Sequence, residues 1–330
     1  MPVYSLLARM DYDSARRVWA LAYTAIFLAT AGLLVAQTER RDRHSLVLLL
    51  AGLVAFSYPF IYMLRQGQID LMVGSLCFAS FLLYRARRKN LSALVLAVAT
   101  LMKLNPVFFA LLYLVFYRDF KFIFRYGAAV AGLVLLFSAF FPPQWYWIYA
   151  TEVLPGLTKS FLHQYNQTPL RYFAGDRIVP RLLTVGGAAA FAALAWFAGR
   201  CRVDISRLVP GAAAATLEAG LEYGIYLANA VMIMFVSGSA WVMSYVWFLL
   251  PGAALAVAML RLARPWYVVL LGIGIVGLNL LPAELGTPLL DAANMAGGGL
   301  LLLAVLALYL RPRAVLAEIA TSPDGAGLPG

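Results

Sequence analysis

Residues 85–125, RARRKNLSALVLAVATLMKLNPVFFALLYLVFYRDFKFIFR, decide how the chain is threaded. Arg85, Arg87, Arg88 and Lys89 precede an apolar stretch that runs from Leu91 to Tyr117, and Arg118, Lys121 and Arg125 follow it. A helix needs about 20 residues to cross the hydrocarbon of a membrane. The stretch is too long for one straight span and short for two. Lys103, Asn105 and Pro106 sit in its middle. Proline gives no N–H to the helical ladder and disfavours helix at the residue before it. Lysine and arginine concentrate in cytoplasmic loops. A single span puts one basic cluster on each side of the membrane. A hairpin of two short helices, with its tip near Lys103–Pro106, puts both inside. The hairpin is the expected arrangement.

The rest of the chain reads consistently with it. Apolar runs predict spans at about 18–37, 45–63, 69–84, 91–104, 105–117, 122–141, 179–199, 222–237, 241–260, 265–282 and 295–310. The loops at 38–44, 85–90, 118–125, 200–207 and 261–264 and the C-terminal tail then all fall on one side. They hold seventeen of the 26 lysines and arginines. Eleven spans satisfy the positive-inside rule throughout, with the N-terminus outside and the C-terminus in the cytoplasm. The expected fold class is all-α, a polytopic integral membrane protein. Residues 1–320 form one transmembrane domain with a large outer loop at about 142–178, and the Pro/Gly-rich stretch 321–330 reads as a disordered tail. An outside N-terminus without a signal sequence leads to the expectation that a preceding helix is missing.

Composition excludes the main alternatives. Of 330 residues, 63% are hydrophobic and 12% charged, and the mean hydropathy is +0.81. A soluble domain has about 45–50% apolar and about 25% charged residues. The net charge of +11 follows from basic cytoplasmic loops, so no nucleic-acid partner is expected. Cys77 and Cys201 lie in unrelated regions and make neither a metal site nor a disulfide framework. There is no Walker motif and no GxGxxG. Neither metal nor cofactor is expected.

Polar residues at membrane depth need a reason, and three outer clusters have few neighbours of their kind. Arg65-Gln66-Gly67-Gln68-Ile69-Asp70 forms a short turn between two spans. It reads either as a turn capped by Asp70 at a helix start or as a polar wall for a sugar or phosphate. Lys103-Leu104-Asn105-Pro106 carries a cation against the charge bias. It reads as a lysine snorkelling to the interface or paired with Asp70, or as a cation for a lipid phosphate. Asn166, Gln167 and Arg171 end the long outer loop with groups suited to hydroxyls or phosphate. The expectation is that Lys103 lies near Asp70 and the Asn166–Arg171 segment. The aromatic stretch Trp145–Tyr149 reads as an interfacial belt or a short interfacial helix, and Ser237–Trp247, polar and aromatic at an outer helix start, as an aromatic belt.

The order of these motifs resembles the polyprenol-phosphate-mannose-dependent mannosyltransferases of glycosyltransferase family 87, which have the multi-spanning C-type glycosyltransferase fold. Ala15-Arg16-Arg17-Val18-Trp19 is similar to the family's Ala-Arg-x-x-Trp. Gly67-Gln68-Ile69-Asp70 resembles its Gly-Gln-x-Asn. Lys103-Leu104-Asn105-Pro106 resembles its Lys-hydrophobic-x-Pro hairpin tip. Tyr146-Trp147, Leu154-Pro155 and Asn166-Gln167-Thr168 follow its Tyr-Trp…Leu-Pro…Asn-Gln-Ser run, and Trp241 to Pro251 its Ser-x-x-Trp…Trp-Leu-Leu-Pro. Asp70 stands where the family has Asn, and Val242, Met243 and Ser244 stand where it often has a Glu-His or His-His pair. The family's catalytic aspartate lies in a first outer loop at whose end this chain begins.

The resemblance implies a membrane glycosyltransferase at the outer face of a bacterial inner membrane. A polyprenyl-phosphate sugar, mannose in the first instance, is the implied donor, and a glycolipid or cell-envelope glycan the acceptor. Membrane lipids are the remaining partners. Substrate-binding candidates are Arg65, Gln68, Asp70, Lys103, Asn166, Gln167 and Arg171. The catalytic base is unknown, with Asp70 the one candidate inside a family motif. A flippase for a lipid-linked sugar, or an incompetent fragment that only binds the lipid donor, are the alternatives. With the acidic loop missing, the chain alone is expected to bind donor and transfer little.

Overall fold

The structure is a computed structural model and describes residues 10–66, 68–140, 142, 144–148, 151–152, 178–208, 212–236 and 246–261. Among them every regular element is helical. The helices are α1 (Tyr12–Gln37), α2 (Arg43–Phe56), α3 (Tyr58–Gln66), α4 (Asp70–Arg85), α5 (Lys89–Met102), α6 (Phe120–Ser138), α7 (Gln144–Ile148), α8 (Val179–Leu208), α9 (Ala212–Val236) and α10 (Leu249–Arg261). α1, α6 and the 181–203 stretch of α8 are each long and apolar enough to cross a membrane. They turn large apolar side chains outward: Leu21, Leu28, Phe124 and Leu135 are each more than half exposed. In water such surfaces are a liability; against lipid tails they cost nothing. The expected spans at 265–282 and 295–310, most of the 142–178 loop and the 321–330 tail lie outside the described residues.

α4 is the axis of the bundle. Every residue of it except Leu76, Ala79 and Arg85 is buried. α1 covers one side and α5 another. Small polar residues let the helices approach closely. Ser80 and Ser92 exchange hydrogen bonds across α4 and α5, the Ser80 hydroxyl reaching the Ser92 carbonyl at 2.9 Å and the Ser92 hydroxyl the Ser80 carbonyl at 2.7 Å. Gly74 lies under the indole of Trp247, where a Cβ would come within 2.4 Å of Cδ1. Gly199 of α8 meets the Phe116 carbonyl in the same way, at 2.7 Å. Phe78 and Phe81 of α4 pack on Tyr226 of α9 with ring centroids 5.2 and 4.9 Å apart.

The chain does turn back at Lys103–Pro106. α5 ends at Met102, Lys103 is extended (φ −149°, ψ 132°), and Pro106 opens a 3₁₀ turn, Asn105–Phe108. The return arm ends in a π-helical turn, Leu112–Phe116. The base of the hairpin is closed by an ion pair, Lys89 Nζ to Asp119 Oδ2 at 2.5 Å. Tyr84 donates to the same carboxylate oxygen at 2.9 Å, and Asp119 Oδ1 caps α6 by accepting from the Phe122 N–H. Burial raises the Asp119 carboxyl, but Lys89, the Phe122 N–H and Tyr84 outweigh it, so its pKa lies below the ordinary value.

Three expected boundaries need correction. The span at 45–63 is two helices broken at Ser57, which is extended (ψ 106°). Pro59 supplies no ladder N–H, and the Ser57 hydroxyl caps the new helix by accepting from the Phe60 N–H at 3.2 Å. The run at 179–199 continues as helix to Leu208, so Arg200 and Arg202 are helical rather than loop residues. The span at 222–237 starts ten residues earlier, because Ala212–Ala215 are strong helix formers. Glu222 is therefore in mid-helix.

Two stability predictions follow from these contacts. Gly74→Ala and Gly199→Ala each lower the thermal midpoint in detergent, at a cost of about 1–3 kcal/mol. Gly132→Ala, where nothing lies within 4 Å, raises it, adding about 0.5–1 kcal/mol of stability. Equal effects at the three glycines contradict the packing. The Asp119 contribution is fully present above the ordinary carboxylate value and is lost as pH falls through its lowered folded value. Asp119→Asn therefore costs about 1–2 kcal/mol at neutral pH and flattens the acid limb of stability against pH. An unchanged acid limb contradicts the assignment.

Candidate functional site

The site lies where α4 begins. Ile69 is already in helical conformation, so Asp70 is the first residue of the helix. Asp70 stands at the helix start, as the capped-turn reading has it, and pairs with Lys103 as well. Lys103, displaced from α5 by the approach of Pro106, extends to it, with Nζ 2.6 Å from Asp70 Oδ1. The pair is largely dry: side-chain exposures are 18% for Lys103 and 4% for Asp70. An acid at a helix N-terminus is also favoured by the macrodipole.

A third segment closes the site. Trp247 is 2% exposed and its Nε1 donates to the Asp70 carbonyl at 2.9 Å. The Lys103 ammonium lies 5.9 Å from the Trp247 ring centroid. Trp247 is thus a buried partner of the ion pair rather than part of an exposed aromatic belt. Trp147, on α7, is 71% exposed and suits an interfacial position. Below the pair, Phe109 of the return arm faces Trp247 at 6.3 Å, and Asn229 of α9 donates to the Phe108 carbonyl at 3.5 Å. Asn229 is fully buried, and its Oδ1 has no hydrogen-bond partner among the described residues.

Of the residues singled out in the sequence, Asp70 and Lys103 are brought into contact. Gln68 lies exposed two positions before Asp70. Arg65 belongs to α3, but its side chain lies outside what is described, as do Asn166, Gln167 and Arg171 altogether. Sequence reasoning missed Trp247 as a buried partner, Gly74 as its seat, and Asn229. Asn229 had a usable signal, an amide inside an apolar run. Gly74 had none that separates it from glycines with open space around them.

The far end of α4 carries a second ionic cluster. Arg85 Nε is 2.7 Å from Glu222 Oε2, and Arg202 Nε is 3.4 Å from Glu222 Oε1. Arg85 also donates to the Tyr223 hydroxyl. Glu222 ties α4, α8 and α9 together. Gln37, at the end of α1, donates to the Leu82 carbonyl at 3.1 Å. Segments of four loops expected to be cytoplasmic, 38–44, 85–90, 118–125 and 200–207, therefore gather at one end of the bundle, and the Asp70–Lys103 pair sits at the other.

Among the described residues the elements are all helical, three are long and apolar enough to cross a membrane, and the ion pairs described above lie at the two ends of α4; these are the marks of a membrane protein. The sequence profile of glycosyltransferase family 87 matches residues 1–222 of the 330. The chain belongs to glycosyltransferase family 87, and is a membrane glycosyltransferase. No curated protein and no solved structure matches it.

Breaking a buried pair leaves one charge uncompensated, whereas removing both members is far less costly. Asp70→Asn and Lys103→Met should each destabilise the protein by about 2–4 kcal/mol, and the double variant by clearly less than their sum. Additive losses in a double-mutant cycle of unfolding would show that the two side chains do not interact.

Proposed function

We propose that the chain transfers a sugar, mannose, from a polyprenyl-phosphate donor to a hydroxyl of a glycolipid or cell-envelope glycan. The reaction takes place at the outer face of a bacterial inner membrane, with the N-terminus outside and the C-terminus in the cytoplasm. Family membership supports the class of reaction. The observation that carries the placement is Lys103: it stands at the end of α4 opposite the gathered basic loops, held by Asp70 in a nearly dry site.

In this reading the acceptor oxygen attacks the anomeric carbon of the donor sugar. The bond from that carbon to the phosphate oxygen breaks, and its electron pair leaves with the lipid phosphate. The acceptor proton passes to a carboxylate. Charge grows on the phosphate as it departs, so cations aimed at it lower the barrier. An ammonium carries three donors. Asp70 engages Lys103 through one carboxylate oxygen, and the pair leaves donors for a phosphate oxygen. Arg171 and Arg65 are the further cations, while Gln68, Asn166 and Gln167 are the groups for sugar hydroxyls. Asp70 acts as the counter-ion that holds Lys103 in place.

A charge-assisted hydrogen bond contributes about 1.5–3 kcal/mol, or about 10- to 100-fold in affinity. Purified chain should bind a fluorescent polyprenyl phosphate, and Lys103→Met should weaken binding by at least tenfold, with Lys103→Arg in between. Membranes containing the chain should move labelled mannose from polyprenyl-phosphate mannose into a lipid or glycan fraction, at a low rate but above membranes without it. Unchanged affinity in Lys103→Met removes the phosphate role. Transfer of a different sugar, with mannose refused, removes the donor assignment.

A further inference from the structure

The end of α4 remote from the Asp70–Lys103 pair opens on a cavity of about 860 Å³. Its walls carry six cations, Arg85, Arg87, Lys89, Arg118, Lys121 and Arg202, against three carboxylates, Asp119, Glu218 and Glu222. Arg85, Lys89 and Arg202 are engaged by Glu222 and Asp119. Arg87, Arg118 and Lys121 have no carboxylate within ion-pair distance among the described residues, and all three are exposed. Basic loops alone need no cavity: cations that only set topology can point into water. The six cations converge on one cavity from α4 and the α4–α5 turn, the base of the hairpin and α8.

Two further observations separate this cavity from an ordinary basic edge. Arg87 and Arg118 have positive φ, 64° and 52°, the only non-glycine residues to do so among those described. Each turn holds a large side chain in a conformation that ordinarily selects glycine, and each of these arginines lines the cavity. Tyr117 lines it too, and its buried hydroxyl has no hydrogen-bond partner among the described residues. The cavity thus presents an excess of positive charge, with an unused hydroxyl buried in its wall.

The mouth also meets the lipid-facing surface. Phe120 lines the cavity and is 71% exposed, and Phe124, one turn along α6, is 79% exposed. A ligand with a phosphate head and apolar chains fits both halves: the head among the arginines and the Tyr117 hydroxyl, the chains along α6. Guanidinium groups match phosphate oxygens bidentately. We infer that this cavity is a binding site for a phosphate ester, carried by an anionic phospholipid, distinct from the sugar-transfer site at the opposite end of α4.

The test is native mass spectrometry and thermal unfolding of the full chain in neutral detergent. Phosphatidylglycerol, phosphatidylcholine or inorganic phosphate is added in separate arms. The wild type should retain phosphatidylglycerol about tenfold better than phosphatidylcholine and gain thermal stability from it, less so at high salt. Arg87→Gly/Arg118→Gly/Lys121→Gln should lose that preference to within about twofold. Glycine relieves both positive-φ positions, so this variant keeps its melting temperature in phosphatidylcholine. Tyr117→Phe should weaken phosphatidylglycerol retention several-fold with no loss of melting temperature, a response that a merely structural hydroxyl would not give. Stabilisation by inorganic phosphate without phosphatidylglycerol preference, and lost in the triple variant, supports the phosphate site but overturns the lipid as its source. Equal retention of the two lipids with no effect of phosphate overturns the site, as does a triple variant that retains phosphatidylglycerol like the wild type.

Discussion

A helix buried on all sides but charged at both ends is the constraint that the rest of the bundle satisfies. α4 has Asp70 at its start and Arg85 at its finish, the order the helix dipole favours. Neither charge can be left in a dry interior without a partner. Lys103 answers the first, and Glu222 the second. The lengths make this possible. α4 has 16 residues and α5 14, so the two antiparallel rods are about 24 and 21 Å long. A turn at Arg85–Lys89 therefore brings Lys103 back to the level of Asp70. The proline that ends α5 fixes where that lysine leaves the helix.

The same constraint separates two chemistries. Asp70 and Arg85 are about 22 Å apart along the axis, with aromatic and aliphatic packing between them. One end holds Lys103 in a dry setting with an indole against it. The other gathers cations from several loops around open space. In the proposed function a lipid-borne phosphate is handled at one end while the basic loops gather at the other, and a rigid α4 keeps the two apart. The aromatic contacts of Phe78 and Phe81 with Tyr226, and the serine exchange between α4 and α5, supply that rigidity.

Much of this was legible in the residues, for physical reasons. Pro106 and the flanking basic clusters imply a chain that turns back, since proline breaks the ladder and charge bias forbids a single crossing. Lys103 and Asp70 are each conspicuous as charges in apolar surroundings, where a buried charge calls for a partner. Helix ends were harder. Hydropathy reports contact with lipid, not helicity, so α8 and α9 extend past the apolar runs into Arg202 and Ala212. Pro59 breaks a helical ladder by its chemistry, yet the apolar run on either side of Ser57 hides the break. Trp247 was misread because a tryptophan near a span end suits an interface and a core equally well. Its burial depends on Gly74, 173 positions earlier in the chain, and no local pattern encodes that contact.

The most direct test of the account is the position of the donor phosphate. A photoactivatable polyprenyl phosphate, with the reactive group beside the phosphate, can be crosslinked to the chain in a bilayer and the adducts mapped by peptide mass spectrometry. The account predicts adducts on residues 65–74 and 102–109, suppressed by excess polyprenyl-phosphate mannose. Adducts confined to 85–89 and 117–121, with none around Asp70 and Lys103, would contradict it.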